Sequence, residues 1–249
     1  MATDESNHTA KKKRIIILKD GPYLVQGDVP LVSKTQVVSE HGEPLTWQKD
    51  GEIPVSQGEY RLCRCGRSGK LPFCDDTHLK VGFDGRETAD PPLTRAQKMK
   101  YERSTRLIVD KDASLCMLSG YCAFSDTALG PMVAATQDTK MRALIMAIVE
   151  RCPSGALTYR VEADGPDIEP DLPQQVAVTT EITSDGPIAG PLWVTGNLPI
   201  ERADGEPFET RNRVTLCNCG ESYNKPLCDG THRNLAQQEA WRRRRAGDQ

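Results

Sequence analysis

Two short stretches of this sequence repeat the same pattern of thiol and imidazole groups. One reads CRCGRSGKLPFCDDTH and spans residues 63–78, and the other reads CNCGESYNKPLCDGTH and spans residues 217–232. Their donors define a first outer site (Cys63, Cys65, Cys74 and His78) and a second outer site (Cys217, Cys219, Cys228 and His232). Thiolates together with a neutral imidazole favour zinc or an iron–sulfur centre. Each stretch is therefore predicted to hold a metal centre.

The spacing of these donors fits both kinds of centre. Zinc accepts three cysteines and one histidine in a tetrahedron, and a [2Fe–2S] cluster takes two ligands on each iron. A helical turn beginning at the third cysteine places Cys74 and His78, or Cys228 and His232, on one face, because residues four apart are neighbours on a helix. Donor chemistry alone leaves zinc and iron–sulfur both open.

Four polar residues close to these ligands are expected to support them. Asp75 and Asp229 follow the third cysteine, where a carboxylate can accept hydrogen bonds from the first amides of a helical turn. Ser68 and Ser222 are expected to donate a hydrogen bond to a ligand sulfur.

The composition favours several small units cross-linked by metal over one large core. Hydrophobic residues make up 37% of the chain and aromatic residues 5%, which is thin for a single core. The N-terminus is polar, and the longest apolar run, residues 143–149, is too short to span a bilayer. We therefore expect a cytoplasmic protein whose nine cysteines stay reduced and bind metal. The net charge of −3 favours no particular partner, and we expect neither a membrane nor a nucleic-acid partner.

The repeat extends beyond the two ligand stretches. The segment GPYLVQGDVPLV (21–32) resembles GPLWVTGNLPIE (190–201), and a short strand is predicted to enter each first cysteine. Duplication of a whole small β-rich domain explains this better than chance. Between the copies, residues 104–110 and 156–162 are predicted strands, and residues 140–152 are a predicted helix.

The outer stretches resemble the CDGSH (mitoNEET-like) iron–sulfur family, whose motif is C-x-C-x2-[ST]-x3-P-x-C-D-G-[SAT]-H. The second stretch matches every defined position, and the first departs only at Asp76, where the family has glycine. The resemblance implies that each outer site holds one [2Fe–2S] cluster through three cysteines and one histidine. It also implies that the two modules pair about a twofold axis, here within one chain. If the glycine position needs a positive φ, Asp76 must adopt it, which aspartate tolerates better than most residues.

The middle cysteines resemble a different pattern, that of bacterial single-cluster ferredoxins. Cys116 and Cys122 stand at the outer positions of C-x2-C-x2-C, Ser119 stands at the middle position, and Cys152 with Pro153 resembles the remote ligand. The resemblance implies a [3Fe–4S] cluster on these three cysteines, which we call the middle site. Alternatives are a [4Fe–4S] cluster with Ser119, water or an external ligand, or three buried free cysteines.

Together these patterns predict an α+β protein of two CDGSH modules, forming an intramolecular pseudo-dimer, around a ferredoxin-like βαβ insert. The expected segments are a polar tail, the first CDGSH domain, a linker, the ferredoxin-like domain, a second linker, the second CDGSH domain and a basic tail (1–13, 14–88, 89–102, 103–165, 166–189, 190–236 and 237–249).

Electron transfer is the function that these features favour. The sequence shows no nucleophile–base pair, phosphate loop or dinucleotide fingerprint, so we expect a carrier rather than an enzyme and predict no catalytic residues. The alternatives are donation or storage of clusters, a redox- or pH-responsive binding module, and a zinc-stabilised binding protein. The expected partner is a redox protein or an apo-acceptor, and the chain is either a monomer with an internal pseudo-twofold or a homo-oligomer.

Overall fold

The computed structural model describes residues 12–89, 98–101, 106–122 and 129–234. The N-terminal residues 1–11, the centre of the first predicted linker and the predicted basic tail 237–249 lie outside these ranges. Among the described residues, no helix has the length and apolar character needed to cross a membrane.

Strands dominate the structure, as expected for β-rich modules. They are β1 Arg14–Ile17, β2 Tyr23–Gln26, β3 Leu31–Val38, β4 Pro44–Glu52, β5 Glu59–Leu62, β6 Met99–Tyr101, β7 Ile108–Lys111, β8 Leu157–Arg160, β9 Gln175–Thr183, β10 Gly186–Thr195, β11 Ile200–Glu201 and β12 Arg213–Leu216. The helices are α1 Thr77–Val81, α2 Leu129–Ala134 and α3 Thr139–Arg151. Within the described residues the predicted strands and the long predicted helix are confirmed, whereas α2 was not predicted; residues 104 and 105 of one predicted strand lie outside the described ranges.

The two halves of the chain exchange strands. One sheet has the order β11-β1-β2-β5, and the other has the order β12-β10-β9-β3-β4. Thus β11 of the second half pairs in parallel with β1 of the first half, aligning Ile200 with Ile15. Reciprocally, β3 of the first half pairs in parallel with β9 of the second, aligning Leu31 with Val176. Neither sheet is complete without a strand from the opposite half.

In each half, a matching turn precedes the strand that pairs with the other half. Gly27 and Asp28 both have positive φ (86° and 52°) between β2 and β3, and Gly196 and Asn197 do the same (75° and 55°) between β10 and β11. Glycine, aspartate and asparagine are the residues that adopt this left-handed region most readily. The sequence similarity of residues 21–32 and 190–201 therefore reflects a shared crossover.

The residues between the two halves form a third sheet, ordered β6-β7-β8, with α2 and α3 beside it. Arg213 ties this unit to the second half, since its buried guanidinium donates to Cys152 O (2.7 Å), Val149 O (2.9 Å) and Leu157 O (3.2 Å). Apolar side chains of all three units belong to one hydrophobic core.

The predicted linkers need correction. The segment 166–189 contains β9, which lies at the centre of the five-stranded sheet. The segment 89–102 likewise ends in β6. Residues 166–173 are rich in Pro and Asp, which favours a linker. The β-branched residues that follow them nevertheless form β9.

Candidate metal centres

Each outer site consists of two close pairs of donor atoms. Cys63 Sγ and Cys65 Sγ are 3.7 Å apart, and Cys74 Sγ lies 3.4 Å from His78 Nδ1. The second site repeats this arrangement, with 3.6 Å between the sulfurs of Cys217 and Cys219 and 3.3 Å between Cys228 Sγ and His232 Nδ1. All eight predicted outer ligands are therefore brought together in two groups.

Backbone hydrogen bonds hold the cysteine pairs in place. The C-x-C pair follows β5 or β12, and the chain then returns so that Cys63 N donates to Pro72 O and Cys217 N to Pro226 O (both 2.8 Å). The amide of Cys74 donates to Arg61 O at 3.0 Å. The motif proline thus serves as an acceptor for the amide of the first cysteine. The peptide bond before each of these prolines is cis.

The donor spacing fits a centre with two metal ions. Two thiolates bound to one tetrahedral ion at about 2.3 Å stand about 3.8 Å apart, and a thiolate and an imidazole nitrogen about 3.6 Å apart. The four observed separations lie close to these values. The donor separation within each pair therefore suits binding to one metal ion.

The thiols respond to one another electrostatically. The hydrogen bond within each C-x-C pair lowers the pKa of one thiol, Cys65 to about 7 and Cys217 to about 6, and raises the pKa of its partner. Burial raises the pKa of Cys228, and the charge of Cys217 adds to the rise. Each outer site therefore has one thiol with a lowered pKa beside thiols with a raised pKa, and metal binding must displace the protons that the latter hold.

The two aspartates accept hydrogen bonds from backbone amides, as expected. Asp75 accepts from Gly69 N (2.9 Å) and Thr77 N (3.1 Å). A hydrogen bond from the Thr77 side chain is the main cause that lowers the pKa of Asp75 to about 2, and the two amides add to the effect. Asp229 accepts in the same way from Tyr223 N and Thr231 N (both 2.9 Å).

The predicted hydrogen bond from the serine hydroxyls to a ligand sulfur is wrong. Ser68 Oγ donates to Phe73 O (2.6 Å), and Ser222 Oγ donates to Leu227 O (2.7 Å). Each hydroxyl also accepts a backbone amide two residues on, at 3.0 Å. The serines therefore close the ligand loop, because the nearest acceptor for each hydroxyl is a main-chain carbonyl of that loop.

The substitution at Asp76 is accommodated by the backbone. Asp76 has φ 66° and ψ 13°, and Gly230 at the matching position has φ 89° and ψ −3°. The carboxylate of Asp76 pairs with Arg61 through two hydrogen bonds of 2.8 and 3.2 Å. Its oxygen, Cys74 Sγ and a ring nitrogen of His78 all lie within 4.8 Å of one another.

At the second outer site a buried carboxylate contacts the ligand histidine. His232 Nε2 lies 3.1 Å from Glu181 Oε2, and Arg233 binds both oxygens of Glu181 at 2.7 Å. Burial opposes ionisation of Glu181, but the hydrogen bond from His232 and the neighbouring positive charges outweigh it and lower its pKa. A hydrogen-bond partner on Nε2 fixes the orientation of the ring, which leaves Nδ1 facing Cys228 Sγ.

The middle cysteines line one cavity of ≈ 240 Å³ together with Ser119 and Lys111. Burial raises the pKa of Cys122; Lys111 acts against the rise, and the charges of Cys116 and Cys152 add to it. Cys152 is the C-cap residue that directly follows α3. All three predicted ligands therefore converge on a space that a cluster could occupy.

Sequence reasoning missed Glu181, Arg233 and the Asp76–Arg61 pair. Glu181 comes from β9, inside the expected linker, and its side chain is 2% exposed. One feature of the sequence could have indicated Glu181: it is a charged residue among the β-branched residues of β9, at a position that alternation along a strand directs inward. Its contact with His232 joins residues that are distant in the chain, so no local pattern predicts it.

Comparison with family models agrees with this geometry. The model described as iron-binding zinc finger, CDGSH type, matches residues 20–79 and 189–233. The model described as divergent 4Fe-4S mono-cluster matches residues 103–162. No curated protein matches the chain. The chain is therefore an iron–sulfur protein in which two CDGSH-type segments flank a divergent 4Fe–4S mono-cluster segment.

Proposed function

We propose that the protein is a one-electron carrier with a [2Fe–2S] cluster at each outer site and a third cluster at the middle site. The observation that carries the proposal is the repeated donor geometry, one C-x-C pair of 3.6–3.7 Å and one Cys–His pair of 3.3–3.4 Å at each outer site. When bound, such clusters gain and lose single electrons.

The protein's part in this function is to set charge and access at each site. Three thiolates and a neutral imidazole leave an outer site one charge less negative than four thiolates would. Uptake of an electron is then easier, so both outer sites should have potentials above those of all-cysteine ferredoxins. A protein donor or acceptor that exchanges single electrons is the expected partner.

For the middle site we propose ligation by Cys116, Cys122 and Cys152. The description of the matching family favours four irons over three. A fourth ligand is then needed, and Ser119 lines the same cavity. Water or an external ligand would serve as well, whereas a [3Fe–4S] cluster would need none.

We further propose that the outer modules form an intramolecular pseudo-dimer and that the protein works as a monomer. The reciprocal parallel pairs β1–β11 and β3–β9 support this. Because each half already completes the other, a second copy of the chain has no missing strand to supply. Sedimentation at several concentrations of the holoprotein should give a monomer mass throughout.

A second candidate function, cluster donation, is favoured by the surroundings of the first outer site. Cys74 is only partly buried, and the apolar side chains of Leu79 and Val81 beside His78 are 76% and 49% exposed. An apo-acceptor could reach this site more easily than the second.

Anaerobic purification tests both candidates. Iron and acid-labile sulfide are counted, EPR spectra are recorded in both redox states, and the holoprotein is mixed with an apo-ferredoxin. Reversible reduction with clusters retained supports the carrier, and loss of iron to the acceptor supports the donor. A colourless protein that contains zinc contradicts both.

A further inference from the structure

We propose that the three sites form a row in which the second outer site lies between the other two. Electrons then pass between the middle site and the first outer site by way of the second. This inference rests on the proposed carrier function and adds to it the order of the sites.

The first link joins the middle site to the second outer site. Met117 directly follows Cys116, and its carbonyl oxygen accepts a hydrogen bond of 2.5 Å from Arg233 Nη1. The same oxygen would lie 2.7 Å from a Cβ atom on Gly230, which stands between the ligands of the second site. Main chain therefore approaches main chain here, and the Arg233 guanidinium connects the two ligand loops.

The second link joins the two outer sites. A Cβ atom on Gly66 would lie 2.5 Å from Cys219 O, and a Cβ atom on Gly220 would lie 2.6 Å from Cys65 O. Each glycine follows the second cysteine of its own C-x-C pair. The two C-x-C-G loops are therefore back to back, and the ligand-bearing peptides of the two sites touch.

The middle loop meets the first half of the chain at a different place. Tyr121 Oη donates to Thr46 O (3.2 Å), and Gly120 lies against Pro44. Both contacts are with β4, an edge strand of the five-stranded sheet, whereas the first outer site follows β5 in the other sheet. Within the described residues, the ligand-loop contacts therefore lead from the middle site to the first outer site by way of the second.

Each internal step moves one electron between neighbouring sites. The site that gives the electron is oxidised by one, the site that receives it is reduced by one, and no atom leaves the protein. The external source is a low-potential one-electron reductant, for which dithionite serves in the test.

The test adds one reducing equivalent to the holoprotein and follows the distribution of the electron by freeze-quench EPR. In the wild type, redistribution between the middle and first outer sites should be independent of protein concentration. In Cys228→Ala, which removes a ligand from the second outer site, redistribution should be delayed and should become faster at higher protein concentration, because electrons must then move between molecules.

EPR of the fully reduced protein gives a second measurement, because neighbouring paramagnetic centres broaden each other's signals. The first outer signal should narrow in Cys228→Ala and stay unchanged in Cys116→Ala. Two further variants keep every ligand. Gly230→Ala should weaken the magnetic interaction between the middle and second outer sites, and Gly66→Ala should weaken the interaction between the two outer sites. Gly205→Ala is the matched control, since Gly205 also has a positive φ (87°) but has no atom near its Cβ position.

The outcomes separate this inference from the function on which it rests. Sites that fill with iron but do not take up electrons reversibly would overturn the carrier function and the row with it. Reversible reduction with concentration-independent redistribution in Cys228→Ala would overturn the row alone. So would a first outer signal that narrows in Cys116→Ala instead of Cys228→Ala.

Discussion

The two outer sites share their ligands and differ in what surrounds them. At the second site, His232 is 3% exposed and contacts the buried Glu181, which Arg233 holds in place. At the first site, His78 is 8% exposed, and the carboxylate of the nearby Asp76 pairs with Arg61 instead. The comparison teaches that one motif can be embedded either as a supported site or as an accessible one. Duplication in a single chain allows both.

The middle unit accounts for part of this difference. The second ligand turn is covered by Met117 and Leu118, so Gly230 has no room for a side chain. The first ligand turn faces solvent, and Asp76 at the matching position pairs with the exposed Arg61. The first site therefore tolerates a residue that the second would exclude.

The largest expected effect comes from replacing the ligand histidines by cysteine. His78→Cys adds a negative charge and should lower the midpoint potential of the first site by on the order of a hundred millivolts. The cluster should also last longer in acid, because the neutral ligand that protons displace is gone. EPR-monitored redox titration and decay of visible absorbance at about pH 5 measure the two effects.

His232→Cys should lower the potential in the same direction but give a less stable site. It removes the hydrogen bond from His232 to Glu181 while Arg233 still binds both carboxylate oxygens, and loss of one hydrogen bond to a charged group costs about 1.5–3 kcal/mol. Equal iron retention in the two variants would show that the contact with Glu181 does not support the second site.

Glu181→Gln should have the next largest effect. The amide keeps the size of the side chain but removes the charge that balances Arg233, at a cost of about 2 kcal/mol in the free energy of unfolding. Iron should leave the second site faster, approaching the rate of the first. Glu201→Gln is the control: it weakens the partly exposed pair with Arg14 and should cost less than about 1 kcal/mol. Urea unfolding and iron release to a chelator distinguish the two variants.

Exchanging the residues that begin the two ligand turns should give unequal results. Gly230→Asp drives a Cβ atom to 2.7 Å from Met117 O and should destabilise the protein by about 1–3 kcal/mol. Asp76→Gly should change stability by less than about 1 kcal/mol, because relief of the left-handed strain is offset by chain entropy and by loss of the exposed pair with Arg61. If the two variants changed the free energy of unfolding in urea equally, close packing of the middle loop on Gly230 would not limit the residue at that position.

Local patterns in the sequence predicted which donor residues come together but not what surrounds them. The C-x-C pair, the following Cys–His turn and Asp75 or Asp229 are set by spacings within one loop, so the structure confirms their close approach. The Ser68 hydroxyl was misassigned because its preferred acceptor, Phe73 O, exists only once the loop has closed. Glu181 depends on pairing of β9 with strands from both halves, and such long-range register is not written in any single segment.

The smallest expected effect tests how the two outer sites are held together. Arg67 and Glu221 form an ion pair of 2.9 Å across the two halves, with side chains 43% and 40% exposed. Arg67→Gln should lower the free energy of unfolding by less than about 1 kcal/mol, and added salt should erase the difference. The control Arg86→Gln removes a pair within one turn, Arg86–Asp84, and should behave alike. If Arg67→Gln instead changed the EPR coupling between the outer sites, charge rather than the close packing of Gly66 and Gly220 would set their approach.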